Sequence, residues 1–348
     1  MINKKILFIS RPFLNNVRGT GERVISKELY NSFSKTGFKI DFVKQTLIAP
    51  YNTLLSLIFY DYLYMPFLIT KSLFKKYDAY FFNSPYQTSW LFLLKIFRKK
   101  TFVLILDLFY HDNKEKSYFD RYSFFLYKNV ALFADYIITI SPENKSKIKK
   151  ILKRDSFVIP VGVDKEFTLI NKTFIKKKKP GANIGYIGSY VARKRVGNII
   201  YLLKNNFKYP ITFHFAGNMP NSYKEEIKTT KNKKSTYKIY GEIKDKDKPG
   251  FYKEIEFLYF PTVLEGLGIP LVEAFRMGVI PIVHKDAEIP KIIKDHCVQI
   301  NQPEEILNIV KNFNKDLEEY KNIVMKNYTY SKTFDYNNYS ELIKSIIK

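Results

Sequence analysis

The sequence predicts an α/β chain of two doubly wound, Rossmann-like units, and three observations predict it. A length of 348 residues fits two domains of ordinary size. A hydrophobic content of 46% is enough for two packed cores. Above all, short apolar runs of strand length alternate with segments of helical spacing along the chain, and that alternation builds parallel sheets covered on both faces. No internal repeat or low-complexity tract interrupts the pattern.

The first run, KKILFIS (4–10), reads as a buried parallel strand at the N-terminus and not as a signal peptide, since no small-residue cleavage site follows. The loop RPFLNNVRGTGERV comes next. Val24, Ile25, Leu29 and Phe33 then give helical spacing from Glu22 to Ser34. Gly19 and Gly21 stand just before that helix, a strand–glycine loop–helix order that suits a phosphate; a tight turn is the plainer reading. FKIDFV (38–43) is the second strand. The segment from Leu54 to Phe74 approaches the length and apolarity of a membrane span, but Asp61 and Pro66 interrupt it, and it is expected as a crossover helix. YDAYFFN (77–83) is a strand, Tyr86 to Phe97 a helix, and TFVLILDL (101–108) a strand. Asp107 falls at that strand's carboxyl end, where open α/β sheets bind ligands, with His111 four residues on; a surface loop histidine is the alternative. FADYIITIS (133–141) leads into a Lys-rich helix, and KTFIKKKKPGA (172–182) reads as a charged linker.

The second unit opens with NIGYIGSYVARKRVGNIIYLL (183–203): a strand meeting Gly188, a basic loop with Arg193 and Lys194, then a helix. Strands ITFHFAG and TYKIYGEI end at or near Gly217 and Gly241. Asp245 and Asp247 form a D-x-D, but the surrounding lysines oppose a cation, and the stretch reads as a solvated turn. Pro261 to Val283 is the most informative stretch. It reads as a strand end, a loop Glu265-Gly266-Leu267-Gly268, a helix with Pro270 at its first position and Gly278 as its left-handed stop, and a strand from Val279. The loop delivers backbone amides to a helix N-terminus, which favours an anion. Glu265 and Glu273, eight residues apart, can face one crevice and accept hydroxyl hydrogens. A ligand with phosphate in its middle and hydroxyls at both ends is a nucleotide sugar; a surface strand–helix turn with solvated acids is the alternative.

E-G-L-G-I-P-L-V-E-A resembles the E-x7-E signature of the retaining, group-1 type glycosyltransferases with two Rossmann-like domains facing a cleft, the GT-B fold. The match includes both glutamates, both loop glycines, Pro270, the preceding Pro261-Thr262 and the later G-x-x-P. Ile159-Pro160-Val161-Gly162-Val163-Asp164 is similar to the segment that ends the family's first domain. The resemblance covers most of the chain and is strongest from Gly185 to Pro290. It implies an acceptor-side domain over 1–165, a nucleotide-sugar domain over 182–328, and a terminal helix over 329–348 crossing back. It further implies that the Gly19–Gly21 loop, Gly188, Gly217, Gly241 and the amides of Gly266, Leu267, Gly268 and Ile269 contact the donor. Lys194 and Arg193 would meet its pyrophosphate, Glu265 its sugar and Glu273 its ribose. Asp107 and His111 would touch sugar or acceptor. Two departures stand out: Leu106-Asp107 replaces a frequent His-Asp, and Gly-Ser replaces a frequent Gly-Arg, which passes the arginine role to Arg193. The family implies no metal and no cofactor, the nucleoside-diphosphate-sugar being a substrate.

With 58 Lys and Arg against 33 Asp and Glu, the net charge is +25. Up to residue 160 there are 26 basic and 12 acidic residues, an excess of 14, so the charge is shared between the halves and is not a tail. Part of it is a matter of composition. The rest points to reversible docking of the first domain on an anionic membrane, with Tyr60, Tyr62, Tyr64 and Phe67 as interfacial anchors. Cys297 is the only cysteine, which excludes a disulfide within the chain and a cysteine metal site and fits a reducing, cytoplasmic setting. The reading is therefore a transferase moving a sugar to a glycan or lipid-linked glycan. A sugar-nucleotide epimerase on the same fold is the alternative; a phosphorylase would need a longer chain. A nucleic-acid-binding role is suggested by charge alone and no module for it is present, so no nucleic-acid partner is expected.

Overall fold

The computed structural model describes residues 4–10, 21–35, 37–43, 59–106, 108, 118–163, 167, 181–205, 209–229 and 235–347. The chain divides into two units, Met1–Gly162 with Asp335–Lys348, and Val163–Phe334.

In the first unit, strands β1 (Lys5–Ile9), β2 (Lys39–Val43), β3 (Ala79–Phe82), β4 (Lys100–Ile105), β5 (Tyr136–Thr139) and β6 (Phe157–Val158) form one parallel sheet in the order β2-β1-β3-β4-β5-β6. Helices α1 (Gly21–Lys35), α2 (Met65–Leu73), α3 (Leu91–Ile96), α4 (Tyr118–Phe133) and α5 (Pro142–Leu152) connect them. β1, β3 and β4 are apolar on both faces because both are covered. Phe8 stacks on Phe81 at 5.2 Å and meets Phe33 of α1, while Leu7, Tyr80, Phe82 and Val103 face the other layer. Ser141 caps α5, accepting from the Asn144 amide, and Pro142 opens its first turn.

Two helices expected in this unit differ. From Phe59 the crossover segment begins as a turn of π-helix, Phe59–Tyr64, before α2; Pro66 falls in the first turn of α2, where its missing N–H costs nothing. Leu54 to Ile58 lie outside the described residues. Asp61, within the π turn, is buried: its carbonyl accepts from the Trp90 indole at 2.6 Å and its carboxylate from the Tyr122 hydroxyl. The helix expected over Tyr86 to Phe97 is a 3₁₀ turn, Pro85–Gln87, followed by the short α3, because the Thr88 hydroxyl donates back to the Pro85 carbonyl and closes the turn early.

The second unit holds β7 (Ala182–Ile187), β8 (Ile211–Ala216), β9 (Ser235–Gly241), β10 (Phe257–Tyr259), β11 (Ile280–His284) and β12 (Val298–Ile300), again parallel, in the order β12-β11-β10-β7-β8-β9. Its helices are α6 (Gly197–Leu203), α7 (Asn221–Thr229), α8 (Lys248–Lys253), α9 (Ile269–Arg276), α10 (Lys291–Lys294), α11 (Glu305–Lys315) and α12 (Leu317–Ser331). Strand order reverses between β7 and β10, so the crevice beyond their carboxyl ends is this sheet's topological switch point. The last helix, α13 (Asn337–Ile347), belongs to the first unit. There Ser32 donates to the Tyr336 carbonyl and Tyr339 to the Ile159 carbonyl at 2.7 Å. Among the described residues no helix is long and apolar enough to cross a membrane.

Candidate active site

The switch point of the second sheet assembles three groups of residues. The first is a set of glycines. Gly188, Gly217 and Gly241 follow or end β7, β8 and β9, and the Gly217 amide donates to the Gly241 carbonyl at 2.7 Å. Gly217 has φ +121°, and a Cβ there would run into the Gly188 carbonyl oxygen. The backbones at the strand ends therefore pack closely on one another, which only glycine at Gly217 permits.

The second group centres on Glu265. Ala192–Lys194 forms a 3₁₀ turn ahead of α6, and it pairs with the loop after β10, since the Val263 amide donates to the Arg193 carbonyl at 2.8 Å. This pairing brings the side chains together. One oxygen of Glu265, Oε1, accepts from the Arg193 guanidinium at 3.0 Å, from the Thr262 hydroxyl at 2.9 Å and from the Lys194 ammonium. Arg193 also donates to the Leu264 carbonyl at 3.0 Å, and Lys194 lies 4.3 Å from the centre of the Phe260 ring. Lys194 is buried, and burial holds its amine below the usual lysine value against the opposing pull of Glu265. Lys194 is thus removed from solvent, while Arg193 beside it stays exposed.

The third group sits on α9. Gly268, at φ +80°, is the residue before the helix and turns the chain into it; Ile269 takes the first position and Pro270 the second, one later than expected. Since Pro270 offers no N–H, the donors at this helix start are the amides of Ile269 and of the loop before it. Gly278 has φ +66° after the helix, as its role as a stop requires. One turn in, Glu273 is 3% exposed and accepts on Oε2 from the Tyr252 hydroxyl at 2.7 Å and on Oε1 from the Lys248 ammonium at 3.4 Å. Burial and the adjacent Glu273 push the Tyr252 hydroxyl well above its ordinary value. For Lys248, burial alone would lower the amine, but Glu273 and Asp245 outweigh it and raise it. Asp245 is only part of a solvated turn, for its Oδ1 lies 2.9 Å from the Lys248 ammonium and is tied through it to Glu273.

Of the residues singled out from sequence, the fold brings together Arg193, Lys194 and Glu265, places Gly266 to Ile269 between them and Glu273, and gathers Gly188, Gly217 and Gly241. Gly21 is the first residue of α1. Gly19, Asp107 and His111 lie outside the described residues. Sequence reasoning passed over Lys248 and Tyr252, and took Thr262 only as part of the motif without a role toward Glu265. The Asp245–Lys248 spacing of three at a helix start was the one available signal for Lys248. Among the described residues no group of three or more His, Cys, Asp or Glu side chains is placed to hold a metal ion.

The family model described as "Glycosyl transferases group 1" matches residues 168–330. The capsular polysaccharide biosynthesis glycosyltransferase CapH of Staphylococcus aureus is 28% identical over 142 residues, 39% of this chain and 39% of its own length. The chain spans well under half the length of the curated relatives it matches. Solved structures match over nearly the whole chain: sucrose-phosphate synthase from Thermosynechococcus elongatus with TM-score 0.76 and 12% identity, covering 99% and 98% of the two chains. Anabaena HepE, in complex with UDP and glucose, has TM-score 0.70 and 14% identity, covering 99% of each. At that identity these two show the fold, two parallel six-stranded sheets of the GT-B kind. Sequence motif, fold and family match fall on the same residues, and the chain resembles the two-domain group 1 glycosyl transferases, with residues 168–330 carrying that family's sequence pattern.

Proposed function

We propose that this protein is a retaining glycosyltransferase that moves a sugar from a nucleoside-diphosphate-sugar to a hydroxyl of a glycan or lipid-linked glycan, without a metal. The observation that carries the reading is the cluster of Arg193, Lys194 and Glu265 at the switch point, beside the start of α9. Without a ligand, Glu265 serves as the internal counter-anion of both cations. A diphosphate at the helix start offers them a stronger anion, and Glu265 is then free to accept from sugar hydroxyls. In the transfer, the bond from the anomeric carbon to the diphosphate oxygen breaks and the acceptor oxygen bonds to that carbon on the same face. The acceptor's proton goes to the departing phosphate. Negative charge grows on that phosphate, so Lys194, Arg193 and the Gly266–Ile269 amides stabilise the transition state more than the ground state. Glu273, on the far side of the helix start, takes the ribose hydroxyls.

A thermal-shift screen against UDP-, GDP- and ADP-sugars tests the donor, with one of them expected to raise the melting temperature. Product analysis tests the reaction: consumption of the sugar nucleotide only when a glycan acceptor is present is expected. Conversion to an isomeric sugar nucleotide without acceptor would replace the reading with an epimerase.

A second observation favours peripheral membrane docking of a cytoplasmic enzyme. Tyr62, Leu63 and Phe67 are exposed on the π turn and α2, Phe74 just after α2, Ile96 and Phe97 on or after α3, and Phe125 and Leu132 on α4. α3 packs on α4, and the π turn meets the Pro85–Gln87 turn that also packs on α4. Lys71 lies 5.8 Å from the centre of the Phe67 ring, Lys75 and Lys76 follow Phe74, and Arg98 and Lys99 follow Phe97, while Lys95 pairs with Asp135. Exposed aromatic side chains with cations close by in the chain suit the interface of an anionic leaflet.

A further inference from the structure

We infer that Lys248 is a positioning residue of the proposed donor site, its ammonium clamping the Glu273 carboxylate so that both oxygens meet a pair of neighbouring hydroxyls such as a ribose diol. This rests on the reading of the second unit as a nucleotide-sugar site.

The geometry assigns one internal donor to each carboxylate oxygen of Glu273: Lys248 to Oε1 at 3.4 Å and Tyr252 to Oε2 at 2.7 Å. An ionised carboxylate has about four acceptor positions, so each oxygen keeps one for a ligand. Two such positions side by side match a vicinal diol. Lys248 is itself anchored by Asp245 at 2.9 Å, in the 3₁₀ turn Asp245–Asp247 that follows β9. The chain Asp245–Lys248–Glu273 therefore fixes the loop after β9 to α9.

Lys248 also brings an opposite charge to a carboxylate that is 3% exposed, and a buried carboxylate that loses such a partner is left uncompensated. The groups that face Glu273 are Lys248 and Tyr252 from α8, with Asp245 one step beyond Lys248. On the other side of α9, Arg276 donates to the Ser331 carbonyl, and Phe275 meets the rings of His296 and Tyr330. Lys248 is thus the positive charge in direct contact with Glu273. Its amine is held above the ordinary lysine value, so it stays charged across the neutral range.

The test compares wild type with Lys248→Met, Lys248→Arg and Asp245→Asn by calorimetry. The probes are UDP, GDP, ADP and inorganic pyrophosphate. For the nucleoside diphosphate that wild type binds, affinity is expected to fall at least tenfold in Lys248→Met. Lys248→Arg should restore it, and pyrophosphate binding should be unchanged in every variant. Asp245→Asn, which keeps the lysine but frees it, should lose affinity for the nucleoside diphosphate alone; it carries the test should Lys248→Met fail to fold. An equal loss for pyrophosphate, no rescue by arginine, or no loss overturns the role of Lys248. If wild type binds none of the three nucleoside diphosphates, the donor-site reading itself falls, and the clamp with it.

Discussion

At the scale of single residues, the proposed site is a set of charges that hold each other, Glu265 with Arg193 and Lys194 and Glu273 with Lys248. Glu273→Gln keeps the shape of the side chain and removes the charge that accepts from hydroxyls. Loss of one charge-assisted hydrogen bond is worth about 1.5–3 kcal/mol, so nucleoside diphosphate affinity should fall roughly tenfold to a hundredfold, as measured by calorimetry; Lys248 keeps Asp245 but loses its second carboxylate, so a fall in melting temperature should accompany it. Lys194→Ala is expected to act on turnover. Its ammonium is buried on Glu265 and the Phe260 ring and is proposed to meet charge that grows as the sugar departs. A steady-state assay should show kcat reduced by at least tenfold; an unaltered kcat would make Lys194 a structural partner of Glu265.

The strands β7, β8 and β9 show how elements prepare the site. Gly217 has φ +121° and no room for a Cβ against the Gly188 carbonyl, so Gly217→Ala should cost about 1–3 kcal/mol and lower the melting temperature by several degrees. Under the same strands runs a polar chain. The Asn183 side-chain amide donates to Glu256, so its carbonyl oxygen faces His214 Nε2 at 3.1 Å, and His214 Nδ1 lies 2.7 Å from the Tyr240 hydroxyl, which donates to Glu254 at 2.9 Å. Burial, aided by Lys238, pushes His214 down to about 4, so the folded protein holds it neutral. The unfolded chain, titrating near 6.5, binds the extra proton first. The stabilisation is therefore full above pH 6.5 and is lost as pH falls from 6.5 toward 4. It amounts to roughly 2 kcal/mol after allowance for screening at the sheet edge. Urea titrations across that range should show the loss, and His214→Gln should flatten it.

For the molecule as a whole, two outcomes test how the enzyme is proposed to work. Sugar transfer should persist in excess EDTA, because the cations of the site are Lys194 and Arg193; loss of transfer restored by magnesium or manganese would bring Asp245 and Asp247 back as ligands. Co-sedimentation with vesicles should be stronger for anionic than neutral lipid and should weaken at high salt, since each Lys or Arg near an anionic leaflet contributes about 1 kcal/mol within a Debye length. Replacing Phe67 and Phe74, 64% and 88% exposed, with serine should reduce binding to anionic vesicles at either salt level. Equal binding to both lipids, or none, would leave the charge as composition.

What the sequence determined by itself is local and periodic. Strand-length apolar runs marked the central strands of both parallel sheets, since a strand covered on two faces has to be apolar throughout; the edge strand β9 is largely exposed and polar. Gly268, Pro270 and Gly278 marked the start and stop of α9, since φ and the missing N–H are properties of single residues. The eight-residue spacing of Glu265 and Glu273 was likewise legible. The break of the crossover segment into a π turn and α2 was not, because it depends on Asp61 meeting Trp90 and Tyr122 from distant parts of the chain. Nor could the sequence show that Arg193 and Lys194 meet Glu265 some 70 residues away, or that Lys248 and Tyr252 hold Glu273. The first set of contacts exists because strand order reverses between β7 and β10, so the loops beyond those two strands come to line one crevice, and the second because the helix after β9 packs against α9. Only the tertiary structure decides which charges are removed from water together, and that removal is what turns scattered basic and acidic residues into a site.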